Sequence, residues 1–167
     1  MSWSRLAPLL LLAACGFSPV YGPGGAAEGL YGQIAVAPPR DEPGYLFVRH
    51  LEERLGLPDA PLYRLDAEIA LDETGLGVTP DQEITRIQIA GEATYTLTDL
   101  ATGAVLQSGE ARSFTSYSAP VFSEQRNSIA GNAVTVRAAE SDAVERLMTI
   151  LGDQIVSRLL ATAPDWR

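Results

Sequence analysis

The sequence predicts an α+β fold: a two-layer sandwich in which an about four-stranded, mostly antiparallel sheet carries two helices on one face, in the order β-α-β-β-β-α. Three observations lead there. Two segments repeat apolar residues at helical spacing along a single stripe, and the three segments between them alternate apolar and polar residues with the period of a strand. A sheet that is apolar on one side only is covered on that side alone, so both helices belong to one layer. A chain of 167 residues supplies one core of ordinary size, and 46% apolar with 20% charged residues excludes wholesale disorder.

Gln33 to Ala37 (QIAVA) reads as a short strand closed by Pro38-Pro39. Asp41 is placed to cap the first helix with Pro43 in its first turn. Phe47, Val48, Leu51 and Leu55 form the apolar stripe, Arg49, Glu52, Glu53 and Arg54 the opposite face, and Gly56 and Pro58 stop the helix. From Leu62 the period changes. Tyr63, Leu65, Ala67, Ile69 and Leu71 fall on one side and Arg64, Asp66, Glu68 and Asp72 on the other, as in a half-buried strand. Glu73 to Glu83 (ETGLGVTPDQE) reads as a loop. In the next strand Ile87, Ile89, Gly91, Ala93, Tyr95 and Leu97 point inward, and Arg86, Gln88, Glu92, Thr94, Thr96 and Thr98 outward.

Asp99 to Ala104, with Gly103, makes a hairpin turn. Val105 to about Thr115 is the return strand, where the adjacent Val105 and Leu106 predict a bulge and Gly109, Ala111 and Ser113 leave room for a close helix. Ser116 to Asn132 reads as a long connection, a kind of segment that in compact domains is usually functional or disordered. The last helix runs from Ala138 to Ala161 on a stripe of Val144, Leu147, Met148, Leu151, Ile155 and Leu159. Glu140 and Asp142 at its start and Arg158 near its end suit the helix dipole, and Pro164 ends it.

Charge and rare residues exclude several functions. The 12 cationic residues are all arginine, there is no lysine, and 21 acids bring the net charge to −9. Such a chain is unsuited to coating nucleic acid, which takes a basic patch, or to adsorbing on an anionic membrane by charge alone. One cysteine, Cys15, excludes an internal disulfide and multi-cysteine metal sites. One histidine, His50, leaves little for a zinc enzyme or a histidine-based triad, and its place on the first helix beside Leu51 reads as a boundary position. There is no GxSxG, no HExxH and no phosphate-binding loop, which would need a lysine. The carboxylate doublets Asp41/Glu42, Glu52/Glu53 and Asp72/Glu73 are neighbours in sequence and do not converge across a cleft. The sequence therefore calls for no catalytic residue, no metal and no cofactor.

The position of Cys15 is informative. Met1 to Arg5 is a weakly positive start and Leu6 to Ala14 (LAPLLLLAA) an apolar run. Nine residues of helix reach roughly 13 Å, while a membrane span takes about 20 residues, so the run has the build of a secretory signal. It ends in Leu12-Ala13-Ala14-Cys15, which resembles the bacterial lipobox, in which the thiol is acylated and the cysteine becomes the first mature residue. One acyl chain holds a protein marginally, at about 0.8 kcal/mol per buried CH₂, and the three chains of this lipoprotein class make attachment effectively permanent. Gly16 stands where an aspartate would mark retention at the inner membrane in enteric bacteria, which points to the outer membrane. The expected organisation is a signal peptide over residues 1–14, a lipidated cysteine and Gly/Pro-rich tether over 15–31, one domain over 32–163 and a tail over 164–167.

The outward sheet face (Arg86, Gln88, Glu92, Thr94, Thr96, Thr98) is either an ordinary solvated surface or a polar docking face for a hydrated partner. Arginine is suited to bidentate contacts with phosphate and carboxylate. Arg86, Arg112, Arg126 and Arg137 are the candidate contacts for an anionic lipid headgroup or a partner.

Leu12-Ala13-Ala14-Cys15-Gly16-Phe17-Ser18-Pro19-Val20-Tyr21-Gly22 resembles the opening of the lipopolysaccharide-assembly outer-membrane lipoproteins, the LptE family. The element order is similar too, as is the closing Asp153-Gln154-Ile155-Val156 with Arg158-Leu159. The resemblance implies a lipid-anchored domain on the periplasmic side of the outer membrane. In that family such a domain plugs a β-barrel translocon of the LptD type, assists its assembly, and helps deliver lipopolysaccharide to the outer leaflet, with some direct binding of lipopolysaccharide. A barrel lumen is polar and hydrated, the surroundings a Thr/Gln/Arg face suits. The alternative is a periplasmic accessory lipoprotein of another transport or envelope complex.

Overall fold

The computed structural model describes residues 25, 27–78, 84–118 and 129–166. In chain order the elements are β1 (Ile34–Val36), α1 (Glu42–Leu55), β2 (Tyr63–Val78), β3 (Ile84–Asp99), β4 (Val105–Ser118), α2 (Ile129–Ala161) and a short α3 (Ala163–Trp166). The strands form one sheet in the order β1-β2-β3-β4. β1 runs parallel to β2, and the other pairs are antiparallel. The predicted class and order are both present.

Local chemistry fixes the boundaries. The Asp41 carboxylate accepts from the Gly44 N–H at 2.7 Å, filling one of the orphan donors at the start of α1, and Pro43 lies in the first turn, where no N–H is needed. Gly56 ends that helix at φ 81°, a left-handed conformation that favours glycine. In the β3–β4 turn the Asp99 carboxylate accepts from the N–H groups of Ala101 (2.9 Å) and Thr102 (2.7 Å). These bonds, the Thr102 N–H first, hold the Asp99 carboxyl below the usual aspartate range. The predicted bulge is present: Thr98 faces Val105 while Leu97 faces Gln107, leaving Leu106 as the extra residue.

One core lies between the helices and the inner face of the sheet. Phe47, Leu51 and Leu55 of α1 meet Leu65, Ile89, Ala93, Tyr95, Leu97 and Ala111 of the sheet and Leu147, Met148, Leu151, Ile155 and Leu159 of α2. Each buried Leu, Ile or Phe contributes about 1.5–3 kcal/mol relative to exposure. Gly91 makes the closest approach possible. A Cβ there would stand 2.9 Å from Leu147 Cδ2 and 3.1 Å from Leu151 Cδ1, so its missing side chain is what lets α2 settle on β3. Gly109, expected to admit a helix, is instead covered by the ring of Tyr95 across the ladder. The helices are clasped at their rim by Arg49 with Glu145 (2.6 Å) and by Asp153 with both His50 (3.0 Å) and Arg54 (2.5 Å). His50 is the boundary residue expected, lying against Gly152.

Three expectations change. The segment read as a loop from Glu73 is strand as far as Val78, with Glu73 opposite Ile89 and Leu76 opposite Arg86. The alternation fades there because residues 71–76 are exposed on both faces of the sheet, so no helix demands apolar side chains. The connection expected over 116–132 shrinks from both ends, since β4 continues to Ser118 and α2 begins at Ile129. The apolar stripe marks only the packed part of α2, whose first turns extend beyond it. Pro164 lies inside α3, after α2 has already ended at Ala161. Trp166 there stacks edge-on against Tyr63 at 5.3 Å.

The close approach at Gly91 gives a test. Gly91→Ala should cost about 1–3 kcal/mol by overpacking, and less in a Leu147→Ala background, where the closest of the clashing groups is gone and only the Leu151 contact remains. A urea double-mutant cycle reads that coupling. Equal penalties in both backgrounds would contradict it.

Candidate functional site

The helices occupy one face of the sheet, and among the described residues no element covers the other, the open face. Register places its side chains in rows across β2, β3 and β4: Asp66, Thr96 and Ser108; Glu68, Thr94 and Glu110; Ala70, Glu92 and Arg112; Asp72, Ala90 and Phe114; Thr74, Gln88 and Ser116; Leu76, Arg86 and Ser118. Burial alternates as the period requires, with Ile89, Ala93, Tyr95 and Leu97 buried and their neighbours on β3 half-buried or exposed. With Arg64 added, the face carries five carboxylates (Asp66, Glu68, Asp72, Glu92, Glu110) and three guanidiniums (Arg64, Arg86, Arg112). The expected threonines are present. The arginines are outnumbered by acids, four of them on β2 and β4 and Glu92 on β3, which repel a polyanion that has no specific contact.

Arg112 is the centre of the polar network. Its Nε donates to Glu92 Oε2 across the ladder at 3.0 Å and lies 2.6 Å from Glu110 Oε1 on its own strand. The hydrogen bond to Arg112 is the first cause holding the Glu92 carboxyl below the usual glutamate range, and the same bond raises Arg112 further above neutrality. Both contacts use Nε, so the donors of the two terminal nitrogens lie outside them and are geometrically suited to a phosphate or carboxylate. The pair is exposed and contributes little to stability. It orients the guanidinium.

The four candidate arginines do not form one cluster. Arg86 is on the open face, but Arg112 is opposite Glu92, six residues further along β3, which sets the two about 20 Å apart at about 3.4 Å per residue. Arg137 belongs to α2, in the helical layer. There it borders a small cleft of about 200 Å³ with Glu42, Leu46 and Glu140. Arg126 and Cys15 lie outside the described residues, as does the apolar run before the cysteine. Among the described residues no helix is long and apolar enough to cross a membrane, and no group of His, Cys, Asp and Glu is arranged to hold a metal ion.

Phe114 was missed by sequence reasoning. It projects from the open face opposite Ala90 with 65% of its surface exposed. The signal was available: counting by twos back from the buried Tyr117 puts Phe114 outward. The Val105–Leu106 bulge obscured the register on which that count depends.

A sequence model of the lipopolysaccharide-assembly family LptE matches residues 31–159. No curated protein sequence matches the chain significantly. Among solved structures, similarity extends to a candidate lipoprotein of Caulobacter crescentus CB15 (19% identity, TM-score 0.64, covering 86% of this chain and 98% of that one). It also extends to rare lipoprotein B of Shewanella oneidensis (12%, 0.55, 80% and 96%) and lipoprotein B of Nitrosomonas europaea (14%, 0.53, 89% and 93%). At these identities the structural likeness establishes the shared fold.

The Glu92–Arg112 pair predicts a pH response. A carboxyl whose folded value is depressed stabilises above its unfolded value and loses that contribution as pH falls through the folded value. In a carboxyl-detected NMR titration Glu92 should have its midpoint below the ordinary glutamate range, and Arg112→Gln should bring it back up. An unchanged Glu92 midpoint in that variant would contradict the pairing.

Proposed function

The chain belongs to the lipopolysaccharide-assembly family LptE, and from that premise we propose that it is an outer-membrane lipoprotein whose open sheet face docks in the lumen of a β-barrel translocon of the LptD type. One observation carries the reading. A complete helical layer satisfies the inner face of the sheet, and the outer face is left as a broad surface of threonine, paired charge and one projecting aromatic ring. A barrel lumen is polar and hydrated, and a face already dressed in hydrogen-bonding side chains enters it without stranding apolar area. Phe114 gives that face an apolar anchor of the kind that dominates interface energetics.

The lipobox-like Leu12-Ala13-Ala14-Cys15 supports attachment through acylated Cys15, with the domain on the periplasmic side. Removal of residues 1–14 takes Arg5 with it, so the mature chain is more acidic still. Its place at the membrane then comes from lipid and partner rather than from charge. Lipopolysaccharide carries phosphate, and the terminal guanidinium nitrogens of Arg112, with Arg86 at the far end of the same face, are the groups through which direct binding proceeds. Arg126 and Arg137 are secondary candidates, Arg137 being on the other layer. The role is assembly and delivery, with no bond made or broken by the protein.

A single purification tests this reading. Affinity-tagged full chain drawn from detergent-solubilised outer membranes should bring a stoichiometric large β-barrel with it, and Cys15→Ala should leave the membrane fraction. A folded Arg86→Glu/Arg112→Glu chain should recover less barrel and lipopolysaccharide. Recovery of the wild-type chain from that membrane without a stoichiometric barrel would overturn the proposal.

A further inference from the structure

The two edges of the sheet are finished differently. On β4 the long helix covers the outward carbonyls: Gln154 Nε2 donates to the Arg112 carbonyl at 3.3 Å and Arg158 Nη1 to the Glu110 carbonyl at 2.6 Å. On β2 the cover is short. β1 pairs only with Tyr63, Arg64 and Leu65, the Ala37 N–H donates to the Leu65 carbonyl, and Pro38-Pro39 then turn the chain away. The Tyr63 N–H donates to Gln33, so the odd-numbered residues of β2 turn their backbone groups towards this edge. Pairing with β3 continues without a break to Leu76. Ala67, Ile69, Leu71, Glu73 and Gly75 therefore present N–H and C=O groups for which the described residues supply no strand. A free edge of this length is normally blocked or used.

Where β1 stops, a cleft of about 700 Å³ opens between β2 and the start of α1, bordered by Val36, Pro38, Arg40, Val48 and Ile69. It lies in the path of a strand continuing the line of β1. Leu71, on the inner side of the edge, is 37% exposed, while Asp66, Glu68 and Asp72 line the outer side. Asp66 is bonded to Arg64 at 2.8 Å, and Glu68 is in a loose, exposed pair with Arg40 at 3.6 Å that an incoming cation can replace. A second copy is a poor occupant, because antiparallel pairing about Ala70 would set Glu68 against Asp72, and like charges directly opposite are destabilising.

We propose that β2 from Asp66 to Leu76 is a strand-addition site for one extended segment of a partner protein, a segment that alternates apolar residues with Lys or Arg. Its apolar side chains lie over Ile69 and Leu71 and into the cleft, its cations meet Asp66, Glu68 and Asp72, and its backbone completes the ladder. The site is an edge, distinct from the open sheet face, and does not depend on the proposed translocon role.

The test uses the full chain and a labelled synthetic peptide of about ten residues alternating valine and lysine, read by fluorescence anisotropy. Saturable binding is expected. Methylating alternate peptide nitrogens on the edge that faces the protein should weaken it at least about tenfold, as should Glu68→Lys/Asp72→Lys in a chain that keeps its circular dichroism. A valine–glutamate peptide should not bind. Because the methylated peptide is tried on the unaltered chain, the test survives a variant that fails to fold. No saturable binding, equal binding of the methylated or the acidic peptide, or dimerisation of the chain that displaces the peptide would overturn the proposal.

Discussion

The structure depends on the contact of one long helix with a glycine. At Gly91 the sheet offers α2 bare backbone, and Leu147 and Leu151 descend onto it to within van der Waals distance. That approach brings Met148, Ile155 and Leu159 into the same core and sets the depth at which α1 must lie to share it. α1 then meets α2 side by side, close enough that His50 rests on Gly152. The inner face of the sheet is thereby filled, and among the described residues the outer face is left uncovered.

Much of this was legible in the sequence because burial imposes a period. Ile89, Ala93, Tyr95 and Leu97 are buried on the face that alternation assigned them, and Asp41 and Gly56 bound α1 where their side-chain and backbone chemistry required. Legibility ended where burial ended. Residues 71–76 of β2 are exposed on both sides, so nothing forced their side chains to alternate, and a strand passed for a loop. α2 begins at Ile129, ahead of the apolar stripe from which its start was read. The same limit applies to function: a surface arginine bears no periodic mark, and the spacing of Arg86 from Arg112 was set by pairing across strands that sequence did not reveal.

The charge arithmetic also takes on a location. A net −9 with no lysine first served to exclude functions. The register shows that acids on the open face bracket Arg112, with Glu92 across the ladder and Glu110 on its own strand, while Arg86 lies between Leu76 and Ser118. Such a face resists general adsorption of polyanions and admits a phosphate only where a guanidinium is held in position. The distal β2 edge repeats the logic for a different ligand, carboxylates on one side and apolar residues on the other, and among the described residues no helix closes it.

The central claim, that the open face is the docking face, is tested most directly by placing a photoreactive benzoylphenylalanine at position 114 and irradiating intact cells. The ring already projects there, so the replacement is conservative. The account predicts an adduct with a large outer-membrane β-barrel. A chain held normally at the outer membrane that yields no barrel adduct from that position would contradict it.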